Sequence, residues 1–339
     1  MAKHLGVDFE RPLIELETRI EELKRFAQKH NVDLSEEISV LEKKLLDEAE
    51  AIYSRLSPWE RVLVARNQKR PQTRDYIPLI FSDFVELHGD KLYADDPAIV
   101  TGFATIEGRK VFFIGQHKGR TLEEREVCRY GCPNPEGYRK ALAKMRLAEK
   151  LGLPIISFVD TKGAWCGIGA EERGQSLAIA TNLEAMAVLR TPILCIVIGE
   201  GGSGGALGIA VGDKLAIMEN AYFSVISPEG CAAILWRDAS YAPQAAAALK
   251  MCAHDLHELG LVDDIIPEPP GGAHRSPKAA AQALKDYILR ALPPLVETPL
   301  DTLLERRYAR LRSYGVYRES AADASDARED NPPSRQKTG

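Results

Sequence analysis

The stretch "VIGEGGSGGALGIAVGD" (residues 197–213) carries the strongest local signal in the chain. Seven of the fourteen residues from Gly199 to Gly212 are glycine, and the apolar run "PILCIVI" (192–198) leads into them. Glycine lets a ligand approach the backbone closely because it has no Cβ. Three kinds of site fit these letters: a dinucleotide-binding turn, a serine-hydrolase nucleophile elbow, and an oxyanion hole made of backbone N–H groups.

The dinucleotide interpretation needs a crossover helix after the glycines and an acid about 20 residues further on. Glu219 meets the second requirement. The helix is the difficulty, because few residues separate Gly204 from the strand-like run "KLAIM" (214–218), and Gly208 and Gly212 interrupt them. We expect this segment to be too short to connect two parallel strands, which disfavours a dinucleotide site.

The serine-hydrolase interpretation places Ser203 in the motif Gly201-x-Ser203-x-Gly205. It requires a histidine and an acid beside the serine in space. The chain offers these downstream candidates: His254, His257, His274, Asp255, Asp263 and Asp264. Since a triad is recognised by geometry, this interpretation stays open.

A second glycine-rich turn, "DTKGAWCGIGAEERGQ" (160–175), favours the oxyanion hole. It also follows an apolar run and also precedes a helix-like segment. Glycines at a helix start present free N–H groups and the positive end of the helix dipole. Because ligands of open α/β sheets bind beyond the carboxyl ends of strands, two such turns predict a site built from backbone donors.

Composition limits the class of protein. The chain has 339 residues, 45% of them hydrophobic, and a net charge of −5. No segment is basic enough for nucleic acid, and no apolar run approaches the roughly 20 residues of a membrane helix. The N-terminus has no apolar signal region and the six cysteines form no CxxC pair, so we expect a cytoplasmic protein with reduced thiols.

The pattern of elements predicts three regions. Residues 1–75 should contain a helical hairpin (9–57), either packed on its own domain or serving as an assembly arm. Residues 76–315 alternate strands and helices, which indicates an α/β domain. Residues 316–339 are almost devoid of apolar side chains and are predicted to be a disordered tail. Strands are expected at 110–116, 154–160, 192–198, 214–218 and 221–227.

Several motifs resemble one known family. "PEGYRKAL", "GAEERGQS", "GEGGSGGALGI", "SPEGCAAILW" and "EPPGGAHR" are similar to signatures of the α subunit of bacterial acetyl-CoA carboxylase carboxyltransferase, as are "YADDPAIVTGFA" and "IGQHKGR". The resemblance runs from about residue 9 to 315. It implies the crotonase (ClpP/crotonase-like) fold, an α/β fold of spiral ββα units with two nearly perpendicular sheets.

The resemblance also implies an activity and partners. The α subunit joins a β subunit that carries a zinc ribbon, as an α2β2 heterotetramer. Together they move the carboxyl group of carboxybiotin, held on the biotin carboxyl carrier protein, to acetyl-CoA. The product is malonyl-CoA, the precursor of fatty acids. A separate biotin carboxylase uses the ATP, and no metal is expected in this chain, which lacks the four-cysteine ribbon.

Site residues follow from the matching motifs. The resemblance assigns the N–H groups of Gly204, Gly205 and Ala206 to the oxyanion hole, supported by Gly163 and Ala164. The negative charge on the ureido oxygen of biotin would lie there. Its substrate-binding candidates are Lys118, Arg120, Trp165, Gly167, Gly201 and Gly202. Lys118, Arg120 and Arg139 are candidates to contact CoA phosphates, although for Arg139 a solvated helix face is the favoured interpretation. His117, Glu171 and Glu172 are expected to be structural.

One turn departs from the family pattern. Where the family has D-T-P-G-A-Y-P-G, residues 160–167 read "DTKGAWCG", so Lys162 and Cys166 replace two prolines. This departure keeps two other hypotheses in play. One is a stand-alone crotonase-type acyl-CoA hydratase or isomerase, and the other is an assembly subunit with weakened catalysis.

Overall fold

The chain forms one branched, mostly parallel β-sheet that is covered by helices. The computed structural model describes residues 8–315, and the predicted tail (316–339) lies outside the described residues. The strands are β1 (Ser82–Glu86), β2 (Ile99–Ile106), β3 (Arg109–Gln116), β4 (Ile155–Thr161), β5 (Ile193–Gly202), β6 (Lys214–Met218), β7 (Tyr222–Ser224) and β8 (Asp264–Ile266). The five predicted strands correspond to β3 to β7, whereas β1, β2 and β8 were not predicted.

The helices fill the intervals between the strands. They are α1 (Arg11–His30), α2 (Ser35–Tyr53), α3 (Pro58–Ala65), α4 (Thr73–Ile80), α5 (Leu122–Val127), α6 (Pro135–Lys150), α7 (Ile168–Glu172), α8 (Gln175–Val188), α9 (Ser203–Leu207), α10 (Pro228–Trp236), α11 (Ala242–Ala248), α12 (Ala253–Glu258), α13 (Pro277–Glu297) and α14 (Leu300–Arg312). The helix-like segment expected after the second glycine-rich turn is divided in two, because the left-handed Gly174 (φ +78°) separates α7 from α8. No helix of the described residues is long and apolar enough to cross a membrane.

The sheet order brings the two glycine-rich turns together. The strands run β1-β2-β3-β4-β5-β6-β8, and β7 pairs with β5. From β3 onwards all pairs are parallel, so the carboxyl ends of β4 and β5 meet at one edge as expected. The two sheets implied by the resemblance are joined here, because β5 pairs with β6 along its first half and with β7 at Glu200–Gly202.

One step of the sequence argument was wrong. The residues between Gly204 and the run "KLAIM" (205–213) were expected to be too few to connect parallel strands, yet β6 runs parallel to β5. The short connection is possible because α9 is a single short helix and Gly208 packs directly against the ring of Tyr138. A Cβ on Gly208 would lie 2.6 Å from a ring carbon. Small residues therefore replace the usual long crossover helix.

The core lies on both faces of the central strands. Every residue of β4 and β5 is buried. Aromatic rings fill one face, where Phe113 meets Phe158 edge to face with 5.1 Å between ring centroids. Such a two-sided core explains why these strands read as continuous apolar runs in the sequence.

The predicted helical hairpin is present as α1 and α2. Its open end is bound to the body by a buried polar cluster. Oε1 of Glu10 accepts a hydrogen bond from the Tyr53 hydroxyl (2.5 Å) and lies 2.9 Å from Nε2 of His274. The boundary predicted between residues 75 and 76 falls inside α4, whose Tyr76, Ile77 and Ile80 belong to the main core.

We predict that Glu10→Gln lowers the free energy of unfolding by about 3 kcal/mol, because it breaks a buried, charged hydrogen-bond cluster. Burial alone would raise the pKa of Glu10, but the hydrogen bonds with His274 and Tyr53 lower it from 4.5 to about 2. The stabilisation is therefore present above pH 4.5 and is lost as the pH falls towards 2. Denaturant unfolding of the wild type and the variant between pH 7 and pH 3 measures this shrinking difference.

Glu15→Gln is the matched control, because Glu15 pairs with Arg11 on the surface, where their side chains are 68% and 80% exposed. A surface pair of this kind contributes less than about 1 kcal/mol. Equal effects of the two substitutions would show that the Glu10 cluster does not hold the hairpin to the body.

Candidate functional site at two touching glycine turns

The two glycine-rich turns are in direct backbone contact. A Cβ on Gly202 would lie 2.0 Å from the carbonyl oxygen of Lys162, and a Cβ on Gly205 would lie 2.3 Å from the amide nitrogen of Ala164. Both distances are far below van der Waals contact, so only glycine fits at these positions. The turns that follow β4 and β5 therefore lie side by side, as the sequence predicts.

Backbone donors at this contact are unpaired. Within residues 8–315, no hydrogen bond uses the N–H groups of Gly204 or Gly205. Gly163, by contrast, already donates its N–H to Oγ1 of Thr161 at 3.0 Å. Gly204 is half-buried and Gly205 is buried. The free donors thus belong to the start of α9, and the turn at Gly163 serves as its packing surface.

Ser203 is the first residue of α9, directly after β5, and has a strained backbone with φ +54°. This strand–turn–helix geometry is the one that a nucleophile elbow requires. However, the cavity of about 320 Å³ beside Ser203 is mostly apolar. Among the described residues, no histidine or carboxylate lines it. His274 instead contacts Glu10 at the hairpin. The geometry therefore does not supply a catalytic triad at Ser203.

A larger cavity of about 610 Å³ lies next to the turns. Its walls combine the α3–α4 segment with the ends of β3, β4 and β5. They include Arg66, Arg70, Lys118, Tyr130, Asp160, Lys162, Glu200, Gly202, Tyr222 and Glu229. Of the predicted substrate-binding residues, Lys118 and Gly202 line this cavity. Gly204, which is predicted to belong to the oxyanion hole, lines the smaller one.

Lys118 lies between two buried carboxylates. Its ammonium group is 2.6 Å from Oδ1 of Asp160 and 2.8 Å from Oε1 of Glu200. Burial disfavours the charged amine, but the charges of the two carboxylates raise the pKa of Lys118. Its positive charge is thus already compensated inside the chain by Asp160 and Glu200.

Glu200 also connects Lys118 and Asp160 to the α3–α4 segment. Its Oε2 accepts hydrogen bonds from Nε of Arg66 (2.9 Å) and from the hydroxyl of Tyr222 (2.6 Å). Although burial opposes ionisation, the charges of Lys118 and Arg66 lower the pKa of Glu200 to about 2. Arg66 also pairs with Glu229 on α10. We call Lys118, Asp160, Glu200, Arg66 and Glu229 the ion cluster.

The other predicted residues have structural contacts. Arg120 pairs with Asp75 and donates to the carbonyls of Gln68 (2.8 Å) and Arg70 (3.0 Å). Arg139 pairs with Asp90 at 2.8 Å. Burial lowers the pKa of His117 to about 4. Arg120 and Arg139 are therefore paired within the chain, and His117 is buried.

The remaining glycines and Trp165 shape the turns. A Cβ on Gly201 would lie 2.3 Å from the ring of Phe223, and a Cβ on Gly167 would lie 2.5 Å from Nε1 of Trp165. The guanidinium of Arg129 stacks 4.8 Å from the centre of a Trp165 ring. Of the two residues that replace prolines, Lys162 lines the larger cavity and Cys166 is exposed with a free thiol.

Several functional candidates were missed by sequence reasoning. Glu200 and Asp160 lie inside the quoted turns, but the sequence around them does not indicate that both carboxylates pair with Lys118. Arg66 is separated from Glu200 by 134 positions, and no local pattern connects the two. Gln116 and Tyr138, which hold the carbonyl of Gly205, were likewise not singled out.

Comparison with known proteins gives consistent matches. A family model described as "Acetyl co-enzyme A carboxylase carboxyltransferase-like" matches residues 6–315. The acetyl-coenzyme A carboxylase carboxyl transferase subunit alpha of Rhodopirellula baltica is 51% identical over 320 residues, covering 93% of this chain and 99% of the relative. The subunit of the same name from Hydrogenovibrio crunogenus is 54% identical over 311 residues, covering 92% of this chain and 98% of the relative.

Solved structures share the fold. The β subunit of Pseudomonas aeruginosa geranyl-CoA carboxylase has a TM-score of 0.52 and 18% identity over 78% of this chain and 48% of that chain. Transcarboxylase 12S has a TM-score of 0.51 and 21% identity over 66% of this chain and 44% of that one. This chain therefore spans less than half the length of either. These likenesses concern the fold alone, and they confirm the crotonase fold predicted from the sequence.

We predict that Gly205→Ala lowers the free energy of unfolding by about 3 kcal/mol, because its methyl group would overlap the backbone of Gly163 and Ala164. Gly204→Ala is the matched control. Its methyl group would meet only the side chain of Ile179, at 3.8 Å, so its effect should stay within about 1 kcal/mol. Denaturant unfolding compares the two variants, and equal stabilities would contradict the contact between the turns.

Removing one carboxylate from the ion cluster should leave its cations under-compensated in a buried site. Glu200→Gln should therefore cost about 3 kcal/mol of unfolding free energy. Glu229→Gln is the control, since the Glu229 side chain is 40% exposed and solvent screens its pairing with Arg66. A loss in Glu229→Gln as large as in Glu200→Gln would show that burial does not set the strength of these pairs.

Proposed function

The chain belongs to the acetyl-CoA carboxylase carboxyltransferase α-subunit family, and from this we propose that it moves a carboxyl group from carboxybiotin to acetyl-CoA, giving malonyl-CoA. We assign the oxyanion hole to the N–H groups of Gly204, Gly205 and Ala206. The observation that carries this assignment is the contact between the two glycine turns, which leaves the Gly204 and Gly205 donors without partners.

Biotin carried on a partner protein suits this arrangement chemically. In the transfer, the N–C bond of carboxybiotin breaks, the carboxyl carbon bonds to the methyl carbon of acetyl-CoA, and the methyl proton passes to the ureido group. The site must therefore stabilise negative charge on a ureido oxygen. Two backbone N–H groups at a glycine turn do this without reorganisation, and loss of one such donor typically costs about 3 kcal/mol of barrier.

The charged residues beside the donors are paired with one another. The ion cluster occupies the cavity wall beside Gly202, where its charges are mutually compensated. Glu200 is ionised and shares Lys118 with Asp160, so Glu200 is not suited to act as a general acid. This argues against the stand-alone hydratase or isomerase, which would need a carboxylate free to exchange a proton.

We propose a β subunit with a zinc ribbon as the partner that completes the site, in an α2β2 assembly. A biotin carboxyl carrier protein and a biotin carboxylase would supply carboxybiotin. Two observations support a second subunit. The relatives are named subunit alpha, and this chain spans 44% and 48% of two longer chains with the same fold. The hairpin of α1 and α2 suits an assembly arm, since Phe26, Val40 and Leu46 are exposed on it.

The test is malonyl-CoA-dependent carboxylation of free biotin by the purified chain mixed with a β subunit, with each subunit alone as control. We expect activity only in the mixture. Gly204→Val should reduce kcat by about 100-fold, because a side chain would stand where the ureido oxygen approaches the donors.

Thermal unfolding and complex formation of Gly204→Val serve as controls, since residue 204 has room for a side chain. A mixture that forms a complex without transferring the carboxyl group would favour the assembly-subunit hypothesis. In that case Lys162→Pro and Cys166→Pro are the first variants to make. Hydratase activity of the chain alone would overturn the proposal.

A further inference from the structure

The carbonyl of Gly205 is held by two side chains rather than by the helix. It accepts hydrogen bonds from Nε2 of Gln116 (2.8 Å) and from the hydroxyl of Tyr138 (3.0 Å). Both side chains are fully buried. The neighbouring carbonyls of Gly204 and Ala206 take ordinary backbone bonds from Gly208 and Ile209. Gly205 is therefore the one residue of α9 whose carbonyl is held by hydrogen bonds from buried side chains.

These two hydrogen bonds set the direction of the N–H group of Ala206, which belongs to the same peptide unit. A peptide unit is planar and, in residues 8–315, always trans, so its C=O and N–H point in opposite directions. Fixing the Gly205 carbonyl towards Gln116 and Tyr138 aims the N–H of Ala206 away from them. Rotating this peptide would leave two buried donors unpaired, which is costly in a dry core. Burial raises the pKa of Tyr138 well above its usual value, so its hydroxyl remains a donor.

Gln116 also connects the second turn. Its Oε1 accepts the backbone N–H of Asp160 at 3.0 Å, and Oδ1 of Asp160 accepts the N–H of Glu200 at 2.9 Å. One side chain at the end of β3 thus bridges the ends of β4 and of the β5–α9 turn. The amide of Gln116 has one acceptor and one donor group, and it uses each for a different turn.

We infer that Gln116 and Tyr138 are positioning residues for the oxyanion hole, acting through the Gly205–Ala206 peptide. The inference rests on the proposed function, because it concerns the geometry of the donors for the same reaction. Neither side chain contacts the substrate. Their removal should weaken stabilisation of the transition state while leaving the binding surfaces intact.

The experiment uses the biotin-carboxylation assay of the two-subunit complex with Tyr138→Phe and Gln116→Met. Tyr138→Phe removes one hydroxyl donor and keeps the ring. It should lower kcat about tenfold, which corresponds to roughly 1.4 kcal/mol, with KM for malonyl-CoA unchanged within about twofold. Gln116→Met removes both bridging bonds at similar side-chain length and should lower kcat further.

Ser157→Ala is the matched control. Ser157 is fully buried on β4, and its hydroxyl donates to the carbonyl of Ile209 at 2.6 Å, beyond the donor peptides. It should lower the melting temperature as Tyr138→Phe does, but it should leave kcat unchanged.

The outcomes separate the two proposals. An active wild type with unchanged kcat in Tyr138→Phe would overturn the positioning role alone. An equal loss of kcat in Ser157→Ala would also overturn it, by showing that any buried hydrogen bond suffices. A wild-type complex without carboxyl transfer would overturn the proposed function and this inference together. A fall in kcat confined to Tyr138→Phe and Gln116→Met would support it.

Discussion

The site depends on one steric constraint, the contact between two backbone turns that leaves no room for side chains. Gly202 and Gly205 meet Lys162, Gly163 and Ala164 at distances that exclude a Cβ. The parallel pairing of β4 with β5 places the turns at the same sheet edge. Because the two turns touch there, packing fixes the start of α9. Helix propensity alone could not, since α9 has only five residues.

Two layers of polar contacts support this constraint from opposite sides. On the cavity side, the ion cluster links the ends of β3, β4 and β5 to α3, with Lys118 compensated by Asp160 and Glu200. On the core side, Gln116 and Tyr138 hold the Gly205 carbonyl. Buried ion pairs contribute little net stability, but breaking one is expensive. The two layers therefore specify geometry more than they add free energy.

The elements that could be predicted from the sequence are those whose residue pattern directly reflects their local structure. β4 and β5 were found because strands buried on both faces read as apolar runs, and the turns were found because only glycine permits their contact. β1 is largely exposed and so has no continuous apolar run, β8 has only three residues, and β2 lay unrecognised inside a quoted motif. The partners of Lys118 and Arg120 could not be predicted, since pairs such as Arg66 with Glu200 join residues 134 positions apart and leave no local pattern.

A crystal structure of this chain with its β subunit and bound biotin would test the central claim most directly. The account predicts that the ureido oxygen lies within about 2.7–3.1 Å of the backbone nitrogen of Gly204, Gly205 or Ala206, the distance range of an oxyanion hole. A ureido oxygen held instead by a side chain such as Lys162, with these backbone nitrogens unpaired, would contradict it.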